Sequence, residues 1–118
     1  MPPLDVDALI YVLMSLADYV RAVELGRYEP LGLATEHFIH ASPAGQLTRV
    51  ANKHYRGVKD LHLLYVDPKR VQAPVRWEPA AGGVYPHIYG PLNLDAVLYL
   101  KPVAPAADGT YHIDPHEW

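Results

Sequence analysis

Cysteine is absent from the chain. That removes disulfides, thiolate nucleophiles and Cys-ligated zinc, and it fits a reducing compartment. Serine is nearly absent: only Ser15 and Ser42 occur, each where a helix N-cap is expected and neither in a G-x-S-x-G setting, so a serine hydrolase is dismissed. No apolar run approaches the roughly 18–20 residues that span a bilayer. No basic stretch precedes the first apolar run, as a signal peptide would require; Asp5 and Asp7 stand there instead. Positive charge is not in excess either, and a formal net charge of −3 argues against a broad nucleic-acid or membrane surface. The expectation is a soluble, cytoplasmic monomer that binds neither nucleic acid nor membrane.

What is present is ordinary globular material. The 118 residues are half apolar and 19% charged, which predicts a single domain over 1–118, with its core at about 8–102 and a loosely ordered tail at 103–118. Twelve prolines fall at segment edges and spare the apolar stretches, marking boundaries. Residues 9–13 suit a buried strand. Ser15 then caps a helix with Asp18 three residues on; Leu16, Tyr19, Val20 and Val23 share one helical face, and Gly26 closes it. Residues 27–36 read as a connecting loop, and 38–41 as a strand. Ser42-Pro43 predicts a second helix start, followed by a face of Leu47, Val50, Ala51 and His54. Residues 60–66 are apolar on both faces and predict a central strand. Short extended pieces follow at 75–77, after the Gly82-Gly83 turn, and at 95–101, with a possible edge strand at 111–113. Two main helices near the N-terminal half against a mostly antiparallel sheet make the fold class α+β.

The chemistry concentrates at 75–92, where Arg76, Glu78 and His87 stand among Trp77, Tyr85, Ile88 and Tyr89. Fixed charges beside amphipathic aromatics are the usual material of a small-ligand pocket. Strand alternation puts Arg76 and Glu78 on one face and Trp77 on the other, and gives His87 and Tyr89 a common face. His40 and Ser42 lie where a strand runs into a helix start, a junction able to hold an anion. Seven histidines show no metal-ligand spacing, so no metal site is expected. Gly82-Gly83 lacks the Lys-Ser/Thr and following helix of a phosphate loop. Lys53, Arg56 and Lys59 flank a helix end, where cations favour the dipole and a solvated surface explains them.

Three pieces, LATEHFIHAS (33–42), VANKHYRGVKDLHLLYVDPKRV (50–71) and VRWEPAAGGVYPHIYGPLNLDAV (75–97), resemble domain-of-unknown-function family 952, small stand-alone bacterial proteins, over roughly 9–102. The resemblance implies an ADP-ribosyltransferase-like fold with a split sheet that grips a nicotinamide dinucleotide. It further implies that His40 and Ser42 lie in the second motif strand, that Val12 stands where relatives carry a polar ribose clamp, and that Glu78 is the nearest counterpart of the late glutamate that supports an oxocarbenium-like transition state.

The combined expectation is a cleft for a nucleotide-type or other small anionic ligand. Arg76 is the anion clamp, Glu78 the catalytic hydroxyl acceptor, and His40, Ser42, Trp77, His87 and Tyr89 the lining. NAD is the cofactor implied by the resemblance, with ADP-ribosyl transfer as the reaction. The alternatives are a binding module that has lost the transferase clamp, and a protein-interaction domain anchored by Tyr85, Tyr89 and Trp118.

Overall fold

Two apolar clusters divide the interior, and two neighbouring strands belong to both. The computed structural model describes residues 5–80 and 82–117. In chain order, a 3-10 turn at Val6–Ala8 leads into β1 (Ile10–Ser15), α1 (Leu16–Leu25), β2 (Arg27–Tyr28), α2 (Gly32–Glu36) and β3 (Ile39–His40). Then come α3 (Leu47–His54), β4 (Leu61–Val66), β5 (Val75–Ala80), β6 (Gly83–Ile88), β7 (Leu92–Asn93) and β8 (Val97–Pro102). In β1, Tyr11 and Leu13 point into one cluster with Leu47, Ala51 and Tyr65, while Ile10, Val12 and Met14 point into the other with Ile39, Leu64 and Ile88. Period-2 alternation of a strand buried on both faces produces this split.

The strands form an antiparallel sheet in the order β1-β4-β8 and another in the order β3-β6-β5, with a short β2-β7 pair. β4 is central in its sheet, as its two apolar faces predict. The two larger sheets pack together in the second cluster, and a β-bridge joins them, with Tyr11 and Ser42 exchanging backbone hydrogen bonds of 2.9 and 2.8 Å. The architecture is α+β and mostly antiparallel, with three helices. No helix among the described residues is long and apolar enough to cross a membrane.

Local chemistry accounts for most boundaries. Ser15 Oγ accepts from the Asp18 N–H at 3.1 Å, and Gly26, at φ 89°, ends α1 with its N–H on the Ala22 carbonyl. β5 runs on through Pro79 to Ala80, further than the proline suggests; it is an edge strand, where a missing donor is tolerated.

Three expectations are corrected. Residues 27–36 are not plain loop but hold β2 and α2. Ser42 does not cap a helix: its backbone pairs with β1, its hydroxyl donates to the Pro43 carbonyl at 2.9 Å, and α3 begins only at Leu47 after a 3-10 turn. The tail is tied down. Tyr111 and Ile113 are buried in the first cluster, Asn52 and Tyr111 exchange two hydrogen bonds of 2.8 Å, and the Tyr65 hydroxyl donates to the Pro115 carbonyl. Residues 111–113 form no edge strand, because the side chains of Asn52 and Thr48 take the place of a ladder partner.

Candidate functional site

The sheet β3-β6-β5 has two chemically different faces. Ile39, Val75 and Ile88 point into the second cluster. The alternate residues, Arg76 and Glu78 on β5 and Tyr85 and His87 on β6, share the opposite face, continued by Tyr89. His40 of β3 sits directly across from His87. Phe38, just before β3, packs among them: its ring stacks on His87 at 4.1 Å and meets His40 edge-on at 4.8 Å.

Glu78 is the hub of this face. Its Oε1 accepts from His87 Nδ1 at 2.8 Å and from the Tyr89 hydroxyl. These two donors, Tyr89 first and His87 second, hold the Glu78 carboxyl below its ordinary value, and the same bond pushes the Tyr89 hydroxyl up. Arg76 makes no ion pair with Glu78 among the described residues; its guanidinium lies 4.8 Å from the centre of the Tyr89 ring, in cation–π contact. A carboxyl held low when folded contributes stability that is present above its unfolded value, about 4.3, and is lost as pH falls through the folded value. Glu78→Gln is therefore expected to flatten the acid limb of the stability curve. The gap between wild type and variant, read from urea midpoints, is constant above about pH 5.5 and closes toward pH 3. A gap independent of pH would remove Glu78 from that limb.

Between this face and α3 lies a cleft of about 680 Å³. Phe38, His40, Tyr85 and His87 line its sheet side, and Arg49, Lys53 and His54 are on the helix side. No carboxylate among the described residues lines it. His87 is buried, yet no fully buried side-chain nitrogen or oxygen among the described residues lacks a partner. With Nδ1 committed to Glu78, Nε2 is thus the ring atom open to the cleft. At the rim, Arg49 Nη1 donates to the Gly82 carbonyl at 3.2 Å. Gly82 has φ 92°, and a Cβ there would fall within 1.9 Å of that guanidinium, so this approach needs glycine.

Of the residues named from sequence, His40 and His87 line the cleft, while Glu78, Tyr89 and Arg76 support it from the same sheet face. Ser42 lies outside the lining, buried in the sheet junction, and Trp77 is 54% exposed and does not join it. Phe38, Arg49 and Lys53 were not anticipated. Lys53 is exposed in the last turn of α3, as the helix-end reading has it, and it also lines the cleft wall; its i, i+4 spacing from Arg49 was the available signal. Arg56, by contrast, turns to the Asp108 carbonyl. Trp118 lies outside the described residues.

All the cleft and supporting residues fall within the span 13–100, which matches the model of a family described as protein of unknown function, DUF952. The chain belongs to the DUF952 family. The crystal structure of protein CC0527 from Caulobacter crescentus resembles this DUF952 chain with a TM-score of 0.81 and 33% identity, covering 88% of this chain and 93% of that one. A double mutant of CC0527 gives the same values. The solution structure of CC0527 gives a TM-score of 0.75 at 33% identity, with 89% and 92% covered. No curated protein matches this DUF952 chain.

Proposed function

We propose that this DUF952 protein binds a small anionic ligand of nucleotide type in the cleft between α3 and the β3-β6-β5 sheet. The observation that carries this reading is the lining itself: Arg49 and Lys53 face the cleft beside the imidazoles of His40, His54 and His87, and no carboxylate among the described residues lines it, in a chain of net charge −3. Cations gathered in a concavity with low-dielectric walls focus the field on an anion. Phe38, Tyr55 and Tyr85 add ring surface for a planar group. The volume suits a ligand of that size, within the roughly 300–1,000 Å³ typical of such sites.

Titrations with AMP, ADP-ribose, pyrophosphate and uncharged adenosine, followed by backbone amide shifts, test it. The anions are expected to move residues 38–55 and 83–89, with adenosine at least tenfold weaker. Arg49→Glu with Lys53→Glu is expected to weaken AMP binding by about 100-fold or more, since reversing a cationic wall costs several kcal/mol. Equal binding of adenosine and AMP, or shifts confined to other surfaces, would refute the reading.

The resemblance to ADP-ribosyltransferases extends the proposal to NAD as ligand and ADP-ribosyl transfer as reaction. Two separate three-stranded sheets joined by the Tyr11–Ser42 bridge are compatible with it. Two features weigh against transfer. Val12 is buried and offers no hydrogen bond to a ribose, and Glu78 turns its Oε1 to His87 and Tyr89 instead of lining the cleft. Nicotinamide release by wild type and Glu78→Ala decides this; equal rates remove Glu78 from such a mechanism. The protein-interaction reading loses two of its anchors, because Tyr85 is buried and Tyr89 is engaged by Glu78 and Arg76.

A further inference from the structure

The cleft holds more than cations. Its two sheet-side imidazoles face each other in register across β3 and β6, with ring centroids 5.5 Å apart. Each is backed by its own carboxylate: His87 Nδ1 by Glu78 Oε1 at 2.8 Å, and His40 Nε2 by Glu36 Oε2 at 3.0 Å. Phe38 packs against both rings and limits their rotation. A carboxylate on one ring nitrogen fixes the tautomer and leaves the other nitrogen to accept or deliver a proton. Among the described residues no three such side chains are grouped as metal ligands, so the arrangement is two separate carboxylate–imidazole pairs. An anion-binding wall alone has no use for two oriented imidazoles, since Arg49 and Lys53 already supply charge.

We infer that His40 and His87 are an acid–base pair that hydrolyses a small phosphodiester held by Arg49 and Lys53; this rests on the anion-binding reading of the same cleft. His87 Nε2, open to the cleft and oriented by Glu78, takes a proton from a water as its oxygen forms a bond to phosphorus. His40, more exposed to solvent, gives its proton to the alcohol oxygen as the other P–O bond breaks. The products are a phosphomonoester and an alcohol. The water has supplied the oxygen on phosphorus and the proton on His87, and the alcohol has taken the proton of His40, so proton exchange with solvent restores the pair. Glu36 and Glu78 are positioning residues.

The test uses the full chain with 2′,3′-cyclic AMP and bis(p-nitrophenyl) phosphate as substrates and AMP as the binding probe. Wild type is expected to turn over at least one diester with a bell-shaped dependence on pH. The charged and titratable groups around the pair are Glu36, Glu78, Arg49, Lys53, Arg76, His54, Tyr55, Tyr85 and Tyr89. His87→Asn and His40→Asn are each expected to lose about 100-fold or more in kcat, the usual scale of a proton-transfer residue, while AMP affinity stays within threefold. Glu78→Gln is expected to lower kcat about tenfold and shift the profile with KM nearly unchanged, as a positioning partner would. His112→Ala, in the exposed part of the tail, is expected to match wild type. His40 is exposed, so its variant folds even where His87→Asn does not, and it decides alone. AMP binding with no diester turnover, a His40→Asn enzyme as active as wild type, or losses of turnover that only mirror losses of AMP binding would each overturn the inference and leave the binding proposal standing. No binding of any anion would overturn both.

Discussion

Deleting residues 107–118 is expected to destabilise the fold by roughly 3–5 kcal/mol, because burying a side chain such as Ile113 or Tyr111 contributes about 1.5–3 kcal/mol each, less the cost of ordering the segment. Both are nearly sealed from solvent, at 4% exposure for Tyr111 and 7% for Ile113, and both lie in the cluster that carries α3. The deletion also strips Asn52 of the two backbone groups it pairs with and leaves the Tyr65 hydroxyl without the Pro115 carbonyl. Unpartnered buried polar groups add to the loss. Urea denaturation checks this. A loosely attached tail would leave the midpoint within the small scatter of surface changes, about 0.5 kcal/mol. The deletion is also expected to weaken AMP binding, since α3 brings Arg49 and Lys53 to the cleft and is held by Asn52 and Thr48.

Ile88→Ala is expected to cost about 2–5 kcal/mol, the range for truncating a fully enclosed aliphatic side chain. Ile88 has no exposed surface and pairs in register with both Ile39 and Val75. It stands between His87 and Tyr89 but faces the other way. The variant separates the two faces of one strand: it lowers the unfolding midpoint, while AMP binding below that midpoint stays close to wild type. Replacing His87 is expected to remove diester turnover instead, with AMP affinity within threefold of wild type. A small stability loss for Ile88→Ala would mean that the second cluster closes over the missing atoms.

The contrast between those two neighbours was readable in the sequence, because alternation within each strand sorts Arg76 and Glu78 from Val75 and His87 and Tyr89 from Ile88; that the two polar sets share one face follows from the hairpin register, Arg76 opposite His87. The first helix was equally plain, with Ser15 at one end and Gly26 at the other. Where local chemistry is weak, reading fails. The β2 and β7 strands are two residues each, too short to show a period, and they exist only because Arg27 and Tyr28 find Asn93 and Leu92 far along the chain. Ser42 has the composition of a cap, and a long-range rung to Tyr11 overrides it. Tyr111, His112 and Ile113 alternate as a strand should, but their backbone groups are answered by side chains, which no periodicity records. Lys53 reads as surface and is exposed, but no local pattern records that Pro79, Ala80 and Tyr85 of the β5-β6 hairpin line the same cleft.

The opposite walls of the cleft are carried by different halves of the interior. Arg49 and Lys53 ride on a helix whose Leu47 and Ala51 sit in one cluster, and the imidazoles ride on a sheet whose Ile39 and Ile88 sit in the other. One pair of peptide hydrogen bonds, at Tyr11 and Ser42, ties the two halves of the β-structure together two residues from His40. Both clusters also draw on the β1-β4 pair, whose Leu13 and Leu63 pack with Leu47 while Val12 and Leu64 pack with Ile39 and Ile88, so the gap between cations and imidazoles is set by packing on the two faces of that pair.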